Sequence, residues 1–233
     1  MALLELENVA AGYESVDVVS GIDLHVEARE VVTVAGTNGA GKSTIVKAIM
    51  GLAPRCSGRI SFDGRDLTRV DAEGRIRVGI GYVPQVANVF TSLTTLENLQ
   101  VVENVPDKVA RIEEIFARFP LLRARRRLRA GALSGGERQQ LAFARVLMSR
   151  PRLMLLDEPT AALAPALVGE VFALIGGLPE LGVAAVVVEQ RARQALEISA
   201  RGYILDSGRI VLGGEAQPLL TDERMADLYL GRR

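Results

Sequence analysis

The nine residues Gly36–Thr44, GTNGAGKST, constrain this 233-residue chain more than any other stretch. They follow an apolar run, Val31–Ala35, and precede Ile45–Met50, which has helical character. In that setting the spacing G-x-x-x-x-G-K-[ST] predicts a loop between a buried strand and a helix, with backbone N–H groups converging on phosphate oxygens. The glycines keep side chains out of the way, and the helix N-terminus adds positive partial charge. Gly36, Thr37, Asn38, Gly39, Ala40, Gly41, Lys42, Ser43 and Thr44 are therefore candidates for nucleotide binding. Lys42 is placed to reach the β and γ phosphates, and the Ser43 hydroxyl to ligate magnesium. A purely structural glycine turn is the alternative, and the Lys-Ser-Thr at its end argues strongly against it.

LMLLDEP, Leu153–Pro159, supplies a counterpart: a buried central strand with Asp157 and Glu158 emerging at its end. In a parallel sheet that end lies beside the phosphate loop. Asp157 is the candidate second magnesium ligand, and Glu158 the candidate that polarises a water for attack on a γ phosphate. An acidic strand cap ahead of Pro159 is the alternative, weakened by the presence of the loop. An adenine needs a flat apolar surface. Tyr13, the sole aromatic before Phe62, is the candidate for stacking on it, with core packing as the rival role.

The rest of the chain alternates strands and helices. LLELENV and GIDLHVEAREVVTVA predict an N-terminal antiparallel sheet feeding a core strand at Val31–Ala35. CSGRISFDGRDL gives a strand and turn, and GIGYVPQ a buried strand ending at Pro84. From Asp107 to Phe119 the apolar positions Val109, Ile112, Phe116 and Phe119 recur at helical spacing. VAAVVVE is a further buried strand, and Pro165 starts a helix with Leu167, Val171, Leu174, Ile175 and Leu178 on one stripe. A last strand pair, YILDSGRIVL, turns at Ser207-Gly208. The expected fold class is α/β, in one domain over 1–233. It has a mostly parallel core sheet with helices on its faces, an N-terminal antiparallel β subdomain, and a helical insert at about 86–150.

Composition narrows the partners. Twenty-eight basic and 28 acidic residues cancel, so no net field draws nucleic acid or an anionic membrane. The arginines between 123 and 129 have no interleaved aromatic to stack bases, which favours a solvated loop. Cys56, the only cysteine, permits no internal disulfide and fits a reducing compartment. His25 alternates with Ile22, Leu24 and Val26 and is expected on the solvated strand face. MALLELENVA lacks the basic start of a signal peptide. VFALIGGLPELGVAAVVV is broken at Pro179 and Glu180, short of the roughly 20 apolar residues that a membrane span requires.

One stretch is left over by a single phosphate loop: GALSGGERQQLAFAR, Gly131–Arg145, in which two glycines stand at the mouth of a helix running to about Ser149. Taken in order and at their spacing, GTNGAGKST, YVPQ, LSGGERQQ and LMLLDEPT resemble the ATP-binding subunit of an ABC transporter, over nearly the whole chain. The resemblance implies a P-loop ATPase of the ABC type, with ATP and Mg as cofactors and hydrolysis coupled to transport. It implies that Ser134, Gly135 and Gly136 close over ATP held by the phosphate loop of a second ATP-binding subunit. Gln85 resembles the glutamine that reaches the magnesium and the attacking water. VANVFTSLTTLENL corresponds to the docking region for a membrane partner, which makes Val89, Phe90 and Leu93 candidates for a transmission surface, with ordinary core as the alternative.

SGRISFDGRDLT, LTTLENL, VVVEQ, RGYILDSGRIVL and LYLG resemble more narrowly the smaller ATP-binding subunit of branched-chain amino acid importers. That implies two transmembrane permease subunits, an extracytoplasmic solute-binding protein contacted indirectly, a second ATP-binding subunit that is a related but different chain, with a homodimer as the alternative, no nucleic acid, and a peripheral place on the cytoplasmic face of the plasma membrane. Two positions depart from the wider family. Gln190 stands where a switch histidine follows the last core strand, and Ala164 where an acidic residue follows DEPT. Glutamine can donate to a phosphate but cannot take up positive charge as imidazole does. Two rival functions share both cradles: a soluble ATPase clamp on DNA or ribosomes, and an energiser of lipid or cell-envelope machinery. A DNA-repair clamp needs a long coiled coil between Gln85 and Ser134, where only residues 86 to 133 lie, and a ribosomal one fuses two ATP-binding units.

Overall fold

The computed structural model describes residues 2–86, 88–161 and 163–225. In chain order its strands are β1 (Leu4–Tyr13), β2 (Val16–Val26), β3 (Val31–Gly36), β4 (Arg55–Phe62) and β5 (Arg65–Asp66), followed by β6 (Ile80–Val83), β7 (Leu153–Asp157), β8 (Ala184–Glu189), β9 (Arg201–Asp206) and β10 (Arg209–Glu215). The helices are α1 (Lys42–Met50), α2 (Ala72–Arg77), α3 (Thr95–Gln100), α4 (Lys108–Arg118), α5 (Pro120–Ala124), α6 (Gly135–Leu147), α7 (Pro165–Gly176), α8 (Ala192–Glu197) and α9 (Ala216–Leu220).

β1 alternates buried and exposed residues, as a strand with one wet face must, and pairs antiparallel with β2 and β4 in a sheet ordered β2-β1-β4-β5. The second sheet runs β10-β9-β3-β8-β7-β6. Every pairing from β9 to β6 is parallel, and β10 returns antiparallel through the turn at Ser207 and Gly208, both at positive φ. Each residue of β3, β7 and β8 is buried, because helices or the other sheet cover both faces.

Two apolar cores follow. The antiparallel sheet, α1 and one face of the parallel sheet enclose the first, so α1 lies between two sheets. The opposite face of the parallel sheet packs on α4, α6 and α7 in the second. α8 and α9 close a smaller third cluster near β9. Arg75, buried on α2, fastens the end of α1: its guanidinium donates to the carbonyls of Ala48 and Ile49 at 2.7 Å each, of Leu67 at 2.7 Å and of Val70 at 2.8 Å. Cationic donors at a helix C-terminus are favoured by its partial negative charge.

Three local expectations need correction. Val109 is exposed, and Ile115 joins Ile112 and Phe116 on the buried face of α4. Leu167 and Leu174 are half-buried, and Val168 and Phe172 complete the stripe of α7. His25 is half-buried instead of solvated: its N–H donates to the Tyr203 hydroxyl at 3.2 Å, and its Nδ1 lies 3.4 Å from the same oxygen. The arginines from 123 to 129 are exposed, as the sequence implies. Arg123 bonds Glu113, and Arg125 pairs with Glu137. LYLG lies outside the described residues.

Candidate nucleotide site

The loop between β3 and α1 adopts the backbone that its glycines permit. Gly39 and Gly41 sit at φ +80° and +105°, and a Cβ on Gly41 would run into the Val19 side chain. α1 begins after Gly41 with no side-chain cap and no acidic residue in its first turn. Its first N–H groups therefore lack the oxygen acceptor that a Ser or Asp cap provides, which is the condition under which a helix N-terminus receives an anion. Thr37, Asn38 and Gly39 are exposed, whereas Ala40, Lys42 and Thr44 are buried.

Glu158 is the point on which the surrounding side chains converge. Lys42 Nζ lies 3.1 Å from Glu158 Oε1 and donates to the Thr37 carbonyl at 3.0 Å, with only 3% of the lysine side chain and 10% of the glutamate exposed. Glu158 Oε2 accepts from Gln85 Nε2 at 3.0 Å and from Gln190 Nε2 at 3.1 Å. The Gln190 amide also donates to Asn38 Oδ1. These groups meet because β6, β7 and β8 are parallel neighbours, so the residues after their last positions share one edge with the loop after β3.

Beside it, Ser43 Oγ donates to Asp157 Oδ1 at 2.7 Å and the Tyr82 hydroxyl to Asp157 Oδ2 at 3.3 Å. Burial pushes the Asp157 carboxyl above its ordinary value, and the bonds from Ser43 and Tyr82 pull it back. Burial, and then the charge of Asp157, pushes the Tyr82 hydroxyl upward, which keeps it a donor. An alcohol and a carboxylate thus adjoin at one spot. Magnesium is commonly held by one or two carboxylates together with substrate phosphates, so the residues present fit it. Gln85 reaches Glu158 and not Asp157. Tyr13, 38% exposed at the end of β1, is no core residue: its hydroxyl accepts from Lys47 of α1 at 3.0 Å.

The second glycine pair is built differently. Ser134 caps α6, accepting from the Glu137 N–H at 3.2 Å, while Glu137 accepts from the Ser134 N–H at 2.7 Å. Among the described residues no hydrogen bond or ion pair joins Ser134, Gly135 or Gly136 to the phosphate loop. Of the three candidates for a transmission surface, Val89 is buried, Leu93 half-buried and Phe90 half exposed. Phe90 lines a groove of about 670 Å³ with Leu52, Ile76 and Val102. On its wall the Arg145 guanidinium lies 4.5 Å from the Phe90 ring centre and donates to the Asn88 carbonyl at 2.6 Å, and its buried Nε has no hydrogen-bond partner among the described residues.

The family model described as ABC transporter matches residues 19–161, more than half of the chain. This chain belongs to the ABC transporter family. It is 38% identical over 232 residues to the high-affinity branched-chain amino acid transport ATP-binding protein BraG of Pseudomonas aeruginosa, covering 98% of this chain and all of that one. It is 39% identical to the probable branched-chain amino acid transport ATP-binding protein LivF of Archaeoglobus fulgidus, covering 98% and 99%. The lipopolysaccharide export system ATP-binding protein LptB of Haemophilus influenzae is 34% identical, covering 100% and 99%. A solved ATP-binding cassette of an ABC transporter superposes with a TM-score of 0.87 at 26% identity, covering 98% and 99%. One in its ADP conformation superposes with a TM-score of 0.86 at 26% identity, over the whole of both chains. The chain is an ABC-type ATPase that binds nucleotide and hydrolyses ATP.

Within this ABC ATPase, Gln190 keeps its amide on Glu158 and Asn38, whereas Ala164 stands at the N-cap of α7 and leaves that helix without a side-chain cap. One acid escaped the sequence analysis. Glu189, the last residue of β8, is 2% exposed and accepts from both the N–H and the hydroxyl of Thr160, at 3.0 and 2.6 Å. Its only sequence signal is a carboxylate ending an otherwise apolar strand.

Proposed function

We propose that this ABC ATPase powers the import of branched-chain or related amino acids. In this role it works at the cytoplasmic face of the plasma membrane with a second, related ATP-binding subunit and two permeases, the solute arriving through an extracytoplasmic binding protein. The convergence of Lys42, Gln85 and Gln190 on Glu158 carries the catalytic part of this reading. The identity of 38–39% to BraG and LivF, against 34% to LptB, supports the solute class.

Glu158 polarises the attacking water. The two amides fix the direction of its carboxylate, and Lys42 screens its charge until the phosphates of ATP compete for the ammonium. Ser43 and Asp157 hold magnesium, which when bound neutralises charge on the phosphates. The uncapped start of α1 supplies N–H donors, and Tyr13 offers its ring to the adenine. Ser134, Gly135 and Gly136 serve the ATP of the second subunit, completing two composite sites. The groove around Phe90 receives the permease, its apolar wall taking a helix and Arg145 an acceptor on that helix.

Glu158→Gln tests the chemistry. Steady-state hydrolysis should fall by at least about a hundredfold while an ATP-bound dimer accumulates, and wild-type turnover removes the assignment. Affinity purification from detergent-solubilised membranes tests the partner, and polytopic permease subunits should be recovered. Lipid-export components would instead favour the second role, for which full-length similarity to LptB speaks. Ribosomes or DNA-repair proteins would overturn both.

A further inference from the structure

We infer that Glu189 is a positioning residue of the ATPase site: its buried carboxylate ties the turn that carries Glu158 to the loop that carries Gln190. Oε1 accepts from the Thr160 N–H and hydroxyl, and Oε2 from the N–H groups of Gln190 at 3.0 Å and Arg191 at 3.4 Å. No ion pair among the described residues involves it. An ionised carboxylate is acceptor-only with four lone-pair sites, and here it meets four donors. Charge-assisted bonds of this kind offset what burying an unpaired charge costs.

What the clamp holds is strained. Glu158 lies at φ +45°, a left-handed conformation that is unfavourable for a non-glycine residue and persists only where its surroundings impose it. β8 imposes it from two sides. The Glu158 N–H donates to the Val188 carbonyl at 2.9 Å, and Thr160, two residues further on and fully buried, is gripped by Glu189. The same carboxylate fixes the backbone of Gln190, whose amide bonds Glu158. Glu189 thus orients both partners of one hydrogen bond without touching ATP itself. This inference rests on the proposed role of Glu158.

The test compares Thr160→Val with Thr160→Ser in the assembled transporter, reading kcat, the KM for ATP and binding of a non-hydrolysable ATP analogue. Valine keeps the volume and loses the hydroxyl; serine does the reverse. Positioning through Glu189 predicts a roughly tenfold lower kcat for valine, the loss of one hydrogen bond to a charged group, with serine within about twofold of wild type and analogue binding unchanged in both. A packing role predicts the opposite order. Glu189→Gln sets an NH2 against N–H donors and should lower kcat further, and by less in a Gln190→Ala background; strictly additive losses would overturn the link. If Glu189→Gln does not fold, the Thr160 pair decides alone. Wild-type turnover in Glu158→Gln would remove the underlying assignment instead, whereas its loss together with equal kcat in the two Thr160 variants overturns the role of Glu189 only.

Discussion

α1 follows a glycine and α6 begins at a pair of them, and their first turns are finished in opposite ways. α1 starts from a left-handed glycine, has no side-chain cap, and brings a lysine as its first residue. α6 carries a complete capping box from Ser134 and Glu137, with Arg125 3.2 Å from the glutamate. A missing cap costs about 1 kcal/mol, so an open start is worth keeping where an anion takes the place of the capping oxygen. A helix already capped stands without a ligand and can offer only what its cap leaves over. At α6 that is the N–H groups of Gly135 and Gly136, which carry no side chain of their own and lie beside Leu163 and Leu167. On the proposed reading the first terminus holds phosphate, and the second is lent to a phosphate held by another subunit.

Adding one methyl group to each terminus sharpens the contrast. Gly41→Ala forces a φ of +105° on a residue with a Cβ and pushes that atom into Val19. The isolated chain should lose at least about tenfold in affinity for an ATP analogue, which isothermal titration would read, since strain of this kind costs roughly 1–3 kcal/mol. Unchanged affinity would mean that the loop is not the nucleotide cradle. Gly136→Ala meets the Leu167 side chain, Cδ1 at 3.2 Å and Cδ2 at 3.3 Å, the end of a side chain that can give way. In the same titration it should bind like wild type, whereas ATP turnover in the assembled transporter should drop by about tenfold. A loss of analogue binding in the isolated chain would break the idea that α6 acts in trans.

The difference between the termini was half legible in the chain itself. GTNGAGKST announces the open one because only glycines at those offsets allow the loop, and LMLLDEP places Asp157 and Glu158 because a buried strand can end in charge only at the sheet edge. Local spacing of this kind also located every strand of the parallel sheet. What stayed hidden depends on distant partners. Glu189 and Thr160 are 29 residues apart and His25 and Tyr203 178 apart, and the Arg75 clamp on α1 reaches back 27 residues to Ala48. A residue of average type has no local feature that reports such a bond. Val109 fails for the opposite reason: it lies beside a genuine apolar stripe, and periodicity alone does not say where the stripe's edge falls.

Gln190 lets the phosphate-loop side of the comparison be tuned without rebuilding it. Its amide is shared between Glu158 and Asn38 and stays neutral. Gln190→His introduces a ring that can take up positive charge near a γ phosphate. Turnover in the assembled complex should rise by about two- to fivefold, with little change in KM; an identical rate in the two proteins would show that this position does not sense the phosphate.

α7 is a third helix start, and it decides whether an open terminus by itself signals a ligand. It has no side-chain cap, yet the segment that leads into it, residues 158–164, contains no glycine. Ala164 already has the extended backbone of an N-cap, φ −61° and ψ 143°, and is exposed, so an aspartate there would remain solvated. The gain is limited by what is already satisfied: Pro165 has no N–H, and the Leu167 N–H reaches the Ala164 carbonyl at 2.9 Å. Among the described residues the Ala166 N–H has no partner and can meet the new carboxylate, which also favours the positive end of the helix. Ala164→Asp should therefore stabilise the chain by about 0.5 kcal/mol, the low end for a cap, read as a higher urea midpoint at unchanged slope. A lower midpoint would mean that the carboxylate does not cap this terminus, and the reading of it as merely uncapped fails.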